Sequence, residues 1–322
     1  MRTTRVLFNQ INYLDDTFSL SPANSDHVPD ELRESIQRVG ILHLPILLAR
    51  ESGSYLIVTG KKRLLACREI FDQLSCDCMV LSEKTSNIDA LAIALEEMCV
   101  SGKINVIGKA IFFKKALQWI DEKTAAEKFL PVMGLPLGSF QIKRLLNLLD
   151  LEDHLLLALE NGVLDETVAR EMLKMPFVDR MTLFETIEFL HLSVGNQRKI
   201  TSICQELAAR NRTNIIAILS DAELRDILQN QETNPPQKTQ HLMARLTEKK
   251  QPRLTEAESQ FKELRSSLAL PGNITLAHSQ AFETDGLTLS VNFNNRHELV
   301  DTWEKIRPQL TNTKTDKSTA ID

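Results

Sequence analysis

The clearest indication of the fold in the first part of the chain is the segment Tyr55-Leu56-Ile57-Val58-Thr59-Gly60-Lys61-Lys62-Arg63-Leu64-Leu65-Ala66. Its first five residues predict a buried strand, which Gly60 ends. The next residues, 61–71, have apolar side chains at helical spacing and predict a helix. The surrounding sequence predicts a short strand at 10–14, a helix at 29–39, and strands at 45–50 and 76–81. Together these elements predict a small α/β domain.

Beyond residue 86 the apolar pattern changes to stripes of helical period, which continue to about residue 228. The polar run Gln231-Glu232-Thr233-Asn234-Pro235-Pro236-Gln237 is typical of a linker. After it the sequence predicts a helix, two alternating strands (274–277 and 287–293) and a closing helix (297–306). The predicted fold class is therefore α+β and mostly helical. We expect an N-terminal α/β domain (1–86), an all-α domain (87–230), a linker (231–253), a C-terminal α-β-β-α unit (254–310) and a disordered tail (311–322).

Composition restricts the class of protein. The chain has 322 residues, of which 43% are hydrophobic and 25% charged, as in a folded protein of two or three domains. Its densest apolar run, 41–49, is far shorter than the roughly 20 residues of a membrane-spanning helix. The N-terminus has no recognisable secretory signal. Five cysteines without a paired framework predict a reduced, cytoplasmic protein.

Charge is unevenly distributed along the chain. The net charge is −5, yet residues 101–150 contain eight basic and four acidic side chains. Such a basic island in an acidic chain indicates a surface for a polyanion. The alternative interpretation is an ordinary helical bundle with solvated lysines.

The cationic turn after the strand at 55–59 is the strongest chemical signal. Lys61, Lys62 and Arg63 fall in the first turn of a helix, where unpaired amides already carry positive partial charge. A phosphate would bind both the amides and the cations, and Gly60 would let it approach the backbone closely. The pattern therefore predicts a phosphate site at Gly60, Lys61, Lys62 and Arg63. Three solvated basic residues explain it equally well.

The same stretch, with the segments before it, resembles the N-terminal domain of ParB-type partition proteins, a fold shared with sulfiredoxin. The matching segments are Leu32-Arg33-Glu34-Ser35-Ile36, Gly40-Ile41-Leu42, Pro45-Ile46 and 55–66. In the family's phosphate motif, Gly-Glu-Arg-Arg-x-Arg-Ala, the matching residues here are Gly60, Lys62, Arg63 and Ala66. Lys61 replaces the acidic residue, and Leu65 replaces the third arginine. The resemblance implies that this turn binds the phosphates of CTP.

A second family motif, Glu-Asn-x-x-Arg, falls at Glu96-Glu97-Met98-Cys99-Val100. Glu96 matches it, Glu97 stands where asparagine helps to hold magnesium, and Val100 replaces the arginine. A carboxylate can also hold magnesium. The resemblance therefore implies Mg²⁺ bound with CTP, with Glu96 and Glu97 as its ligands.

The basic island coincides with a further part of the resemblance. Residues 142–151 are similar to the second helix of the ParB helix-turn-helix and its exit, and 159–173 are similar to the segment that follows. The connection before residue 139 is longer than a tight helix-turn-helix allows. The resemblance implies duplex DNA as the partner, with the second helix in the major groove. The predicted contacts are basic or polar side chains: Lys123, Lys128, Ser139, Gln141, Lys143 and Arg144.

The C-terminal unit is similar in outline to the dimerisation domain of some ParB proteins, which implies a homodimer and a two-fold DNA site.

The resemblance as a whole implies a cytoplasmic, nucleoid-associated protein of DNA partition or transcriptional control. The resemblance implies a partition ATPase as a further partner and does not imply binding to a membrane. Two alternatives stay open. One is a nuclease or nucleotide hydrolase on the same N-terminal fold, and the other is a ParB-like adaptor that does not bind DNA.

Overall fold

The computed structural model describes residues 1–22, 27–70, 74–102, 104–268, 270, 272–279 and 286–293, with the isolated positions 295, 300, 303, 304 and 307. Within this part the chain is mostly helical, with one small mixed sheet and one two-stranded sheet, which confirms the predicted α+β class. The chain divides into two compact units, Met1–Thr201 and Ser202–Asp322. No helix among the described residues is long and apolar enough to cross a membrane.

Five strands form the sheet of the first unit. Their bounds are β1 Arg2–Leu7, β2 Ile11–Asn12, β3 Ile46–Ala49, β4 Tyr55–Thr59 and β5 Ser75–Leu81. The strand order is β1-β5-β3-β4-β2, and β3 pairs antiparallel with β4 and parallel with β5. Thr59, the last residue of β4, pairs with Ile46 at the start of β3. Strand β1 is not predicted from the apolar pattern, because only Val6 of this edge strand is buried.

Helices make up most of the first unit. Their bounds are α1 Asp30–Val39, α2 Lys61–Ile70, α3 Asn87–Val100, α4 Val106–Ala116, α5 Glu122–Phe129, α6 Ser139–Leu146, α7 Asp153–Glu160, α8 Glu166–Met172 and α9 Phe177–Phe189. The next helix, α10 (Val194–Asn211), crosses the boundary between the units. Several helices begin at a residue whose polar side chain accepts a hydrogen bond from a free backbone amide of the first turn: Ser86, Asn105, Asp121 and Asp165. These caps satisfy donors that the helix itself cannot pair.

One hydrophobic cluster joins the sheet to the helices. It contains Leu48 and Val58 from the strands, and Leu91 and Phe112 from α3 and α4, all buried. The sequence places a domain boundary at 86/87, but this cluster spans that position because α3 and α4 share a core with the sheet. The division at 201/202 likewise differs from the expected boundary at 230/231.

The second unit contains helices of 5 to 16 residues and a hairpin. The elements are α11 Ile215–Leu219, α12 Ala222–Gln229, α13 Pro235–Lys250, α14 Pro252–Ser267, β6 Ile274–His278 and β7 Leu287–Val291, the two strands antiparallel. The predicted linker (231–253) instead contains α13, because Asn234 caps this helix and Leu242 and Leu246 are buried. The predicted helix and two strands after it are present. The closing helix (297–306) falls largely, and the tail (311–322) entirely, outside the described residues.

Candidate functional site

The turn between β4 and α2 has a conformation that glycine adopts readily. Gly60 has a φ of 85°, in the left-handed region. A Cβ atom at this position would lie 3.1 Å from Nε and Nη2 of Arg63 and 3.1 Å from the Cα of Pro45. The missing side chain therefore leaves space for the Arg63 guanidinium beside the turn.

Arg63, a predicted phosphate ligand, is bonded within the chain. Its Nη2 donates to Oε1 of Glu97 in α3 at 2.6 Å, and its Nη1 donates to the carbonyl oxygen of His43 at 2.5 Å. The side chain of Arg63 is 19% exposed and that of Glu97 is 36% exposed. The guanidinium thus links α2 to α3 and to the segment before β3, and a carboxylate of the same chain balances its charge.

The two lysines of the turn differ in their surroundings. Nζ of Lys61 lies 3.5 Å from Oδ1 of Asp16, in the loop after β2. Lys115 contacts the same loop, because its Nζ donates hydrogen bonds to the carbonyl oxygens of Asp16 and Ser19. Burial of the ammonium group lowers the pKa of Lys115. Lys62 is half-buried and forms no hydrogen bond or ion pair in the described part of the chain. It is therefore the cation of this turn that remains available to a ligand.

Glu96 and Glu97, the predicted magnesium ligands, do not converge. Glu96 is exposed, whereas Glu97 is half-buried and holds Arg63, since adjacent helix residues are rotated by about 100°. The described residues contain no group of three or more His, Cys, Asp or Glu side chains that could hold a metal ion. Oε2 of Glu97 is buried without a hydrogen bond and would repel a phosphate. This arrangement does not fit CTP with Mg²⁺, and the site stays a prediction.

The second predicted site is built on the helix pair α5–α6. Asp121 caps α5 by accepting a backbone amide of its first turn at 3.0 Å. The connection 130–138 is long, as the sequence predicts, but it is anchored to α4, because Nζ of Lys109 donates to the carbonyl oxygen of Met133 at 3.0 Å. Gly138, with a φ of 143°, ends the connection, and α6 follows at once. The pair is therefore held in place despite its long connection.

Helix α6 has a buried face and an exposed face. Ile142 and Leu145 are buried in the core. The side chains on the opposite face are exposed: Ser139, Phe140, Lys143 and Arg144. Gln141 is half-buried at the edge between the two faces. Lys143 and Arg144 form no side-chain hydrogen bond or ion pair with any described residue.

The other predicted contacts lie on α5. Lys123 and Lys128 are both exposed, and neither has an ion-pair partner in the part of the chain described. A groove of about 530 Å³ separates α5 from the start of α6. It is lined by Glu122, Lys123, Ala126, Glu127, Leu137, Gly138 and Ser139. The fold thus brings the predicted residues Lys123 and Ser139 to one groove, together with two carboxylates.

Phe140 is a feature of this surface that is not predicted from the sequence. Its side chain is 70% exposed, the largest fraction of any described phenylalanine. The signal was present in Ser139-Phe140-Gln141-Ile142-Lys143, because a helix that buries Ile142 directs Phe140 to the opposite face. The exposed face of α6 is therefore basic with an aromatic ring within it.

No family model matches this sequence, and no curated protein matches it. Among solved structures, the chain is similar to the C-terminally truncated chromosome-partitioning protein ParB from Caulobacter crescentus complexed to the centromeric parS site. The identity is 20% and the TM-score 0.34, over 60% of this chain and 96% of that chain. For the same protein complexed with CTP-gamma-S, the identity is 20% and the TM-score 0.27, over 58% and 99%. Likenesses of this size do not decide a function.

Proposed function

We propose that this protein binds duplex DNA with α6 in the major groove. The observation that carries the proposal is the exposed face of α6, where Lys143 and Arg144 lie opposite the buried Ile142 and Leu145. The major groove admits an α-helix, and unpaired cations on its outer face can reach phosphates on either side. The net charge of +4 over residues 101–150 adds an attraction for the polyanion.

The exposed side chains divide by chemistry into two roles. Lys123 and Lys128 on α5 would contact phosphates, which gives affinity without sequence preference. Gln141 and Arg144 have planar polar groups that can pair with the edges of adenine and guanine. We propose that these two residues contribute to base recognition.

The order of the motifs favours DNA partition or transcriptional control as the process in which this binding is used. A nucleoid-associated, cytoplasmic location, a homodimer and a partition ATPase as a further partner stay predictions. The phosphate site at Gly60–Arg63 is also a prediction, and its test is separate from that of DNA binding.

A salt titration of DNA binding tests the proposal. Fluorescence anisotropy of a labelled duplex measures the affinity of the full chain and of Lys143→Ala with Arg144→Ala. We expect affinity to fall steeply with salt, and the slope of log affinity against log salt to become less negative by about 1 to 2 in the double variant. Arg38→Ala with Lys84→Ala removes the same charge from two other exposed positions and should leave the slope unchanged.

Three results distinguish the alternatives. Affinity that is absent or independent of salt contradicts the proposal and favours the adaptor without DNA binding. Equal losses in both double variants would mean that net charge, rather than α6, determines binding. A nuclease or nucleotide hydrolase predicts metal-dependent turnover that disappears in Glu96→Ala with Glu97→Ala, and turnover can be measured in the same samples.

A further inference from the structure

The exposed ring of Phe140 has no explanation in the packing of the first unit. Phe140 is the second residue of α6, and its side chain is 70% exposed. Residues three and four apart on a helix are neighbours, so Phe140 lies next to both Lys143 and Arg144 on the exposed face. Burial of apolar surface is favourable, and a solvated phenyl ring forgoes that gain. A ligand that covers the face would recover it.

The charge around Phe140 favours a polyanion as that ligand. The exposed face of α6 carries two cations and no carboxylate. The carboxylate nearest in sequence, Asp150, lies beyond the end of α6, and Glu122 and Glu127 line the groove on α5. Leu137, 69% exposed, adds apolar surface directly before the helix. An apolar partner protein would remove these cations from water without a compensating charge, whereas the phosphates of duplex DNA would neutralise them.

The major groove offers one apolar group, the 5-methyl of thymine. Because recognition helices contact base edges with their N-terminal residues, the second position of α6 is suited to reach it. A phenyl ring has no hydrogen-bonding group. It can therefore distinguish thymine from other pyrimidines by the methyl contact alone.

We infer that Phe140 is a specificity-determining residue that contacts the methyl group of thymine in the bound duplex. This inference rests on the proposed function, because it needs α6 in the major groove. It adds a preference for thymine that the basic and amide side chains of α6 do not provide.

Uracil substitution tests the inference, since it removes the methyl group and keeps the charge and the hydrogen-bonding groups of the base. Duplexes enriched from a randomised library by the full chain are resynthesised with uracil at every thymine. We expect the full chain to bind the uracil form about fourfold more weakly for each methyl group contacted. Phe140→Ala should bind both forms equally, and Phe140→Leu should retain part of the difference.

Phe177→Ala is the matched control, because Phe177 is also an exposed phenylalanine, at 57%, but lies at the start of α9. It should show the same thymine-to-uracil ratio as the full chain. Failure to enrich or bind any duplex would contradict the proposed function. Binding with equal affinity for both forms would overturn only the role of Phe140, as would an unchanged ratio in Phe140→Ala. Reduced self-association of Phe140→Ala in sedimentation, with unchanged DNA binding, would make this face a protein contact and also overturn the inference.

Discussion

Three cations in the first turn of α2 lie at the positive end of the helix dipole, which costs about 0.3–1 kcal/mol for each exposed cation. Glu97 offsets this cost for Arg63, and Asp16 does so for Lys61. The carboxylate of Glu97 is thus the negative group beside a turn where the sequence predicts a phosphate. An added anion has to compete with it for Arg63.

Glu97→Gln is expected to make the turn more receptive to anions. The substitution removes the carboxylate that holds Arg63 and the buried, unpartnered charge of Oε2. We expect a loss of about 1 kcal/mol of stability, because both partners are partly exposed, and a thermal shift with CTP or inorganic phosphate larger than that of the unmodified chain. Differential scanning fluorimetry measures both. Glu83→Gln, at an exposed position outside the predicted site, should change neither. The same response in the two variants would show that Glu97 does not compete with an anion.

Gly60→Ala is expected to destabilise the first unit more than Gly53→Ala does. Both glycines have positive φ, of 85° and 72°, so both substitutions introduce backbone strain, which costs of order 1–3 kcal/mol. A Cβ at position 60 also crowds Arg63 and Pro45, whereas one at position 53 meets no atom within 4 Å. Thermal midpoints of the two variants measure the difference. Equal midpoints would mean that Arg63 and the backbone at Pro45 can move away from the added Cβ without a loss of stability.

At the element scale, Asp165 connects the N-terminus of α8 to α10. Its Oδ1 accepts the amides of Thr167 and Val168, while Arg198 donates to both carboxylate oxygens at 2.9 Å. The Asp165 amide in turn donates to the side chain of Gln197 at 2.9 Å. Helix-end hydrogen bonds from side chains stabilise a helix that is only two turns long. One carboxylate thus sets the position of α8.

This cap predicts a pH dependence of stability. Hydrogen bonds from Arg198, and then from backbone amides, hold the pKa of the Asp165 carboxyl below its usual value. Because the folded-state pKa is the lower one, the stabilisation is complete above the unfolded pKa of about 3.9 and is lost as pH falls through the folded value. Asp165→Asn keeps a capping oxygen but removes the charge. We expect this variant to have a lower thermal midpoint than the unmodified chain at pH 7. Its midpoint should fall less than that of the unmodified chain when the pH is lowered.

Two further variants separate the contributions at Asp165. Asp165→Ala removes the cap as well and should cost about 0.5–2 kcal/mol. Arg198→Ala leaves the cap intact and should resemble Asp165→Asn at pH 7. Parallel pH profiles of the unmodified chain and Asp165→Asn in calorimetry would show that this carboxyl does not contribute to acid unfolding.

At the scale of the whole molecule, self-association is predicted for the second unit. None of the 16 residues of α14 is buried. The apolar Leu264 of this helix is 36% exposed, and Leu287 of β7 is 51% exposed. A contact between two copies of the chain would cover apolar side chains that the described residues leave exposed on this helix and this hairpin. A two-fold dimer would also present two copies of α6 to a two-fold DNA site.

Sedimentation equilibrium tests this prediction on the full chain. We expect a dimer that Leu264→Asp or Leu287→Asp shifts toward monomer, because a charge at an apolar interface is costly to bury. Thr288→Asp, at the exposed neighbouring position on the other face of β7, should leave the dimer intact. A monomer in the unmodified chain at micromolar concentration contradicts the prediction, and so does a dimer that no substitution weakens.

The positions of most elements could be predicted from the sequence because apolar periodicity is a local property. The three inner strands and helices α1 and α2 lie close to where that period places them, and α3 to α7 fall within the stretch predicted to be helical. β1 and α13 were not predicted, since an edge strand with one buried residue and a helix that begins with two prolines lack the usual pattern. The core shared by α3, α4 and the sheet also has no local signal.

The amino-acid sequence alone specifies which residues carry charge at the two predicted sites, namely the turn at Gly60–Arg63 and the helix at Ser139–Leu146. The group that each charge contacts depends on how the chain folds. Arg63 is 34 positions from Glu97, and the packing of α3 against β4 brings them into contact. Lys143 and Arg144 face away from the same core. The partner of a charge depends on distances between elements, which local sequence does not encode.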